Sequence, residues 1–295
     1  EGRISPACTG LWNDAQEAAW SRIVSFVHSQ GAKMGIQLNH AGRKASTIPW
    51  LPGRGDGSVR EGGWETVGPS AVAQEGIDPP REMTLEEIQA LPGQFAAAAS
   101  RAVRADFDTV ELHGAHGYLL HQFLTPLANH RTDEWGGSFE NRTRLFRAVA
   151  RAVRGVLPEG MPLLVRLSAT DWIDGAWDLE QSVALASLLI DDGVDLIDVS
   201  TGGAANARIP VGPGFQVEFA SEIRRRSGIP TAAVGMITEP EQALAIVESG
   251  DADAVLIGRA GLRDPSWALR AAHETGLDRS EIPYPDSYWR ASWRR

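Results

Sequence analysis

His113, His116 and Tyr118 fall in one short stretch, Glu111-Leu112-His113-Gly114-Ala115-His116-Gly117-Tyr118, at the end of an apolar run. Two imidazoles at that spacing can converge on one small anionic or carbonyl oxygen. The phenol beside them can give a proton to a carbon that has gained carbanion character. Each histidine taken alone reads equally as a strand-end residue satisfied by backbone. A metal site is the sharper rival, because His121 and His130 offer further nitrogen ligands. No acidic or cysteine partner stands at a recognisable spacing, so the expectation is a substrate site and no metal.

Arg166 sits inside the apolar run Leu163-Leu164-Val165-Arg166-Leu167. Once buried, its guanidinium needs either a carboxylate from a neighbouring strand, with Glu111 the candidate, or an anionic ligand. Gly258-Arg259 closes the last apolar run and precedes a short helical stretch. Backbone N–H groups plus an arginine at such a place make an anion site, the alternative being a tight turn with a solvated arginine. Lys33 opens a strand and Lys44 is expected out in a loop, so neither suits a Schiff base at a strand end.

These residues need elements to position them. Short β-rich runs at 33–39, 109–114, 162–168, 196–201, 231–235 and 254–259 are nearly all apolar on both faces, as buried parallel strands are. Between them lie amphipathic stretches at 14–30, 85–105, 140–156, 179–191, 215–227, 240–249 and 265–274. Caps are expected at Asn13 or Asp14, Thr84 with Glu87, Ser138, Asp178, and Thr238 with Glu241. Polar and glycine residues gather just after the strands, which reads as one site built from several loops of a barrel. Gly212-Pro213-Gly214 lacks the third glycine of a dinucleotide fingerprint and does not open from a strand. The expectation is therefore an α/β barrel forming one domain over residues 1–295, although a closed barrel has eight strands and only about six are legible.

Composition bounds the partners. The chain has 295 residues, 43% apolar, and a net charge of −10 from 38 acidic against 28 basic side chains. That balance argues against a nucleic-acid backbone or an anionic membrane as partner. Cys8 is the single cysteine, so no internal disulfide forms, which suits a reducing cytoplasm. No apolar run spans a bilayer and Glu-Gly-Arg-Ile-Ser is no signal peptide, so a cytoplasmic enzyme is expected.

At this point longer motifs carry a resemblance. The stretch 35–44 (Gly-Ile-Gln-Leu-Asn-His-Ala-Gly-Arg-Lys), then 111–119, then 123–133 (Phe-Leu-Thr-Pro-Leu-Ala-Asn-His-Arg-Thr-Asp) with Trp135-Gly136-Gly137-Ser138 and Glu140-Asn141-Arg142, is similar to the Old Yellow Enzyme family of NAD(P)H:flavin oxidoreductases. Paired histidines, rather than His and Asn, together with Tyr288-Trp289-Arg290, resemble its xenobiotic-reductase branch. The likeness runs over essentially the whole chain.

The resemblance implies a (β/α)8 TIM barrel holding FMN non-covalently at the strand C-termini. On that likeness Gln37 would bond the pyrimidine side of the flavin, and Arg166 would sit near its N1 and O2. Gly202, Gly203, Gly235, Gly258 and Arg259 would line the phosphate end. His113 and His116 would hold a carbonyl or nitro oxygen of the substrate, and Tyr118 would donate the proton. Trp289 would line the substrate pocket, and Arg290 would reach a neighbouring subunit's active site in a homodimer or homotetramer. The implied activity is that of an ene-reductase, with NAD(P)H as reductant and activated C=C bonds as acceptors.

By the same likeness Glu1-Gly2-Arg3-Ile4 resembles the segment after the second barrel strand, so the chain is expected to hold strands 3 to 8 and to bind FMN weakly by itself. Cys8 does not match the flavin-tuning cysteine of that branch. The alternatives are an inactive partial barrel and a flavin-free phosphate-binding aldolase or synthase. The Gly- and Pro-rich stretch 48–80 reads as a lid or as an ordered surface excursion.

Overall fold

The computed structural model describes residues 1–293. Six parallel strands make one sheet: β1 Gly35–Leu38, β4 Thr109–Gly114, β5 Leu163–Ser168, β6 Leu196–Ser200, β7 Thr231–Ala233 and β8 Ala254–Val255, in that spatial order. A separate pair, β2 Val67–Gly68 and β3 Arg81–Glu82, ties down the long segment after β1. The helices are α1 Asp14–Ser29, α2 Leu85–Arg104, α3 Leu119–Leu124, α4 Phe139–Arg154, α5 Leu179–Asp191, α6 Val217–Ser227, α7 Pro240–Glu248, α8 Arg259–Arg263 and α9 Trp267–Glu274.

Each strand of the main sheet lies beside the next one in the chain, and no neighbour reverses the order. A doubly wound sheet must reverse at a switch point, so this monotonic winding is that of a (β/α)8 barrel, of which six strands stand among the described residues. No helix among the described residues is long and apolar enough to cross a membrane.

Register explains which side chains meet. Strand side chains alternate, so Val110, Leu112, Val165, Leu167, Ile197 and Val199 share one face, and all are wholly buried against helical residues such as Phe146, Leu185 and Ile223. The opposite face carries Glu111, His113, Arg166 and Asp198, with His113 paired to Arg166 and Arg166 to Asp198 across the strands. The expectation of strands apolar on both faces is corrected here. The helix-packed face is apolar throughout, whereas the cleft face mixes Leu164 and Ala232 with Glu111, His113, Arg166 and Asp198.

Helix starts follow their caps. Asn13, Ser138 and Asp178 accept from the backbone of the first turn, and Thr84 forms a reciprocal capping box with Glu87. Thr238 does not cap α7. That helix starts at Pro240 behind Glu239, and the Thr238 N–H instead donates to the Gln242 side chain at 3.1 Å. The last strand also ends early, at Val255, because the backbone breaks at Gly258 and α8 begins at Arg259. Helix α3 was not expected. Its six residues are all buried, so it shows no amphipathic period to read.

Candidate active site

A cleft of about 1130 Å³ opens over the start of the sheet, lined by Gln37, His113, His116 and Tyr118 together with Cys8 and Trp12 from the N-terminal segment. The three candidate chemical groups meet there. The His113 ring stands edge-on to His116 at 5.1 Å and to Tyr118 at 5.0 Å between centroids. Their chain spacing becomes proximity through two left-handed residues, His116 (φ 57°) and Gly117 (φ 72°), which fold the loop back over the strand end. Tyr118 then enters α3 at its N-cap.

The polar partners set the protonation states. His116 Nε2 and Ser200 Oγ share a hydrogen bond at 2.7 Å, and Gln216 Oε1, which accepts from Thr201 Oγ1 at 2.7 Å, stands 3.3 Å from Ser200 Oγ. One ring nitrogen of His116 is thus engaged by Ser200. His113 is buried and its Nδ1 has no hydrogen-bond partner. Burial, with the charge of Arg166 behind it, pushes His113 down to about 3. Burial likewise pulls His116 far below the ordinary histidine range, and His113 adds to the effect. Tyr118 is raised by burial and by nearby Cys8, so its phenol keeps its proton. Two neutral donors and one protonated phenol suit an oxygen that gains negative charge during a reaction.

Below them lies a row of charge. Arg166 Nε stands 3.2 Å from Asp198 Oδ2. The expected partner Glu111 instead takes the Gln37 amide at 2.6 Å. The register decides this, since Asp198 is directly opposite Arg166 whereas Glu111 faces Leu164. Burial raises Asp198 to about 7 against the pull of Arg166, and burial also raises Glu111. Arg166 is therefore only partly neutralised and keeps attraction for an anionic ring.

The glycines fall along one edge of the sheet. Gly202 and Gly203 follow β6, Gly235 follows β7 and Gly258 follows β8, all with left-handed φ except Gly258. Around Gly258 no heavy atom would lie within 4 Å of an added Cβ, and exposed Arg259 starts α8 beside it. Gly203, by contrast, packs directly on the His116 backbone. Trp289 lies under the Arg279 guanidinium at 4.3 Å and is not among the cleft-lining residues, while Arg290 is exposed in the same C-terminal turn.

Some readings change. Lys44, expected out in a loop, turns inward to donate to the carbonyls of His116 and Gly203, where its amine is held as a structural donor. The rival metal ligands disperse: His121 is wholly buried 3.1 Å from Asp171 and accepts from the Gly117 N–H, and His130 is exposed. Among the described residues no group of three His, Cys, Asp or Glu side chains gathers as a metal site. Ser200 and Gln216 escape the sequence reading, and Lys44 enters it only as a loop residue, because nothing in chain spacing marks a contact across 84 positions, as between His116 and Ser200.

The residues present fit a flavin. Gln37 and Arg166 offer an amide and a guanidinium on the cleft face, an unpartnered imidazole nitrogen sits at the same strand ends, and Gly258-Arg259 leaves open backbone for a phosphate.

The model of the NADH:flavin oxidoreductase / NADH oxidase family matches residues 1–278. An NADPH dehydrogenase of Listeria monocytogenes is 46% identical over 294 residues, covering 99% of this chain and 81% of that relative. Among solved structures, an old yellow enzyme homologue from Zymomonas mobilis superposes at a TM-score of 0.76 with 28% identity, over 100% of this chain and 83% of that chain. Morphinone reductase in complex with tetrahydroNAD does so at 0.73 with 29% identity, over 97% and 79%.

Proposed function

The chain belongs to the NADH:flavin oxidoreductase / NADH oxidase family, and on that premise we propose that it reduces the activated C=C bond of α,β-unsaturated carbonyl or nitro compounds. It is an oxidoreductase that uses FMN, with NAD(P)H as reductant. When bound, FMN supplies the hydride chemistry that no side chain of the protein can. The observation that carries the substrate reading is the triad of neutral polar rings, His113, His116 and Tyr118, around one unpartnered buried nitrogen in the cleft.

Each residue then has a task. Arg166 and Gln37 would hold the electron-poor side of the flavin, and Gly202, Gly203, Gly235, Gly258 and Arg259 would hold its phosphate end. His113 and His116 bind the substrate oxygen, His116 exchanging its Ser200 partner for it. Withdrawal of electron density toward that oxygen makes the β-carbon electrophilic and stabilises the enolate or nitronate charge as it develops. Tyr118 gives its proton to the α-carbon. Arg290, exposed in the C-terminal turn, reaches a neighbouring copy's active site in a homo-oligomer, whereas Trp289, held under Arg279, lies away from the substrate cleft of its own chain.

The test is direct. With FMN in excess and oxygen excluded, the chain should shift the oxidised-flavin bands, speed their bleaching by NADPH or NADH, and recolour on adding 2-cyclohexenone. Bleaching without recolouring by the enone would refute the alkene assignment while leaving the flavin assignment intact.

A further inference from the structure

Lys44 donates to two carbonyl oxygens from different loops, that of His116 after β4 at 2.8 Å and that of Gly203 after β6 at 2.5 Å. Those loops touch through bare backbone. A Cβ on Gly117 would lie 2.3 Å from the Gly203 oxygen, and one on Gly203 would lie 2.5 Å from His116 Cα. Such close approach places two carbonyl dipoles side by side with no strand ladder to satisfy them, since β4 ends at Gly114 and β6 at Ser200. His116 is moreover a non-glycine residue in the left-handed region, a conformation that persists only when its surroundings enforce it.

The neighbouring residue works the same way. Arg43 donates to the Ala204 carbonyl at 2.6 Å and to Val72 at 3.2 Å, and its N–H reaches Gln122. Both cations of the Arg43-Lys44 pair therefore end on backbone oxygens of the same loop, 201–206. Lys44 also lies 5.7 Å from the Tyr118 ring centroid, on the face of the phenol.

We propose that Lys44 is a positioning residue of this site: its ammonium clasps the loops after β4 and β6 and thereby fixes His116 where its ring meets Ser200 and His113. An ammonium has three protons to give and no lone pair, which suits a point where two acceptors converge. Burial and the charge of Arg43 bring Lys44 down to about 8, so the clasp is sensitive to alkaline pH. The clasp is a property of the folded chain, and its bearing on catalysis rests on the reductase reading above.

The experiment compares wild type, Lys44→Arg and Lys44→Met by amide hydrogen exchange and by the nitrogen-15 signals of the imidazoles, both readable without flavin. In Lys44→Met the amides of Gly117 and Gly202 should exchange about 10- to 100-fold faster, the span expected for losing a charged hydrogen bond. The His116 ring signal should shift, while amides of α4 and β5 stay as in wild type. Lys44→Arg, which keeps the charge, should recover part of the protection. Equal protection of both loops in Lys44→Met would overturn the proposal. Should Lys44→Met lose protection throughout, wild type at pH 7 and pH 10 decides: a His116 signal that moves only at alkaline pH supports the clasp, and an unmoved signal overturns it. Loops that loosen in Lys44→Met, in a protein whose wild type never turns over an enone, support the clasp and count against the reductase reading alone.

Discussion

His116 Nε2 lies 2.7 Å from Ser200 Oγ, which stands 3.3 Å from Gln216 Oε1, and the Gln216 amide is anchored in turn on the Val234 carbonyl at 2.9 Å. This chain of contacts runs along the C-terminal ends of β6 and β7 and fixes the angle of an imidazole that belongs to the loop after β4. Ser200→Ala should therefore lower kcat/KM for an enone by about 5- to 30-fold, the effect of about 1–2 kcal/mol of lost orientation. Steady-state rates check this, and unchanged rates would show that the bond has no part in catalysis.

Replacing His113 and His116 together by alanine removes both oxygen donors. Alkene reduction should fall by at least 10²-fold, since one such donor is commonly worth about 10² to 10³. The two single losses should not multiply, because the rings are in contact at 5.1 Å. Stopped-flow traces separate the half-reactions, and the NADPH half should be less affected than the enone half.

Asp198 runs against the usual carboxylate sense. Burial lifts it from 3.8 to about 7, so its folded value lies above its unfolded one. The stability it contributes is full below about pH 4 and disappears as pH rises through 7. Asp198→Asn should lack this slope and gain on wild type between pH 5 and pH 8. Urea midpoints at the two pH values test it; a constant difference would mean that Asp198 is ionised throughout.

His113 has the opposite sign. Its folded value of about 3 lies below the ordinary 6.5, so the stability it brings is present above 6.5 and is lost as pH falls toward 3. His113→Gln should flatten that acid limb, measurable as a smaller drop in melting temperature from pH 7 to pH 4.

Gly117 cannot carry a side chain. Its φ of 72° is unfavourable for any Cβ, and that atom would meet the Gly203 oxygen at 2.3 Å. Gly117→Ala should cost about 2–4 kcal/mol, combining backbone strain with a clash against fixed backbone. Gly137→Ala is the control, with a similar φ of 81° and nothing within 4 Å, and should cost about 1 kcal/mol. Similar urea-unfolding energies for the two variants would argue that the loops yield easily.

Much of the molecule is legible in its sequence. Strands such as 109–114 and 163–168 announce themselves because hydrophobic runs bounded by caps and glycines report local periodicity, which is a property of the chain itself. The candidate triad was legible for the same reason, since His113, His116 and Tyr118 lie in a single turn of sequence. The linear order of residues thus determined which groups the protein has available and that they sit at strand ends. It could not determine their partners. Arg166 joins Asp198 and not Glu111 because strand register sets who stands opposite whom. Lys44 turns inward and His116 finds Ser200 because loops from separate strands are brought within hydrogen-bond reach only when the sheet forms. Protonation followed the same division, since an imidazole acquires a value near 3 only where folding has removed water from around it.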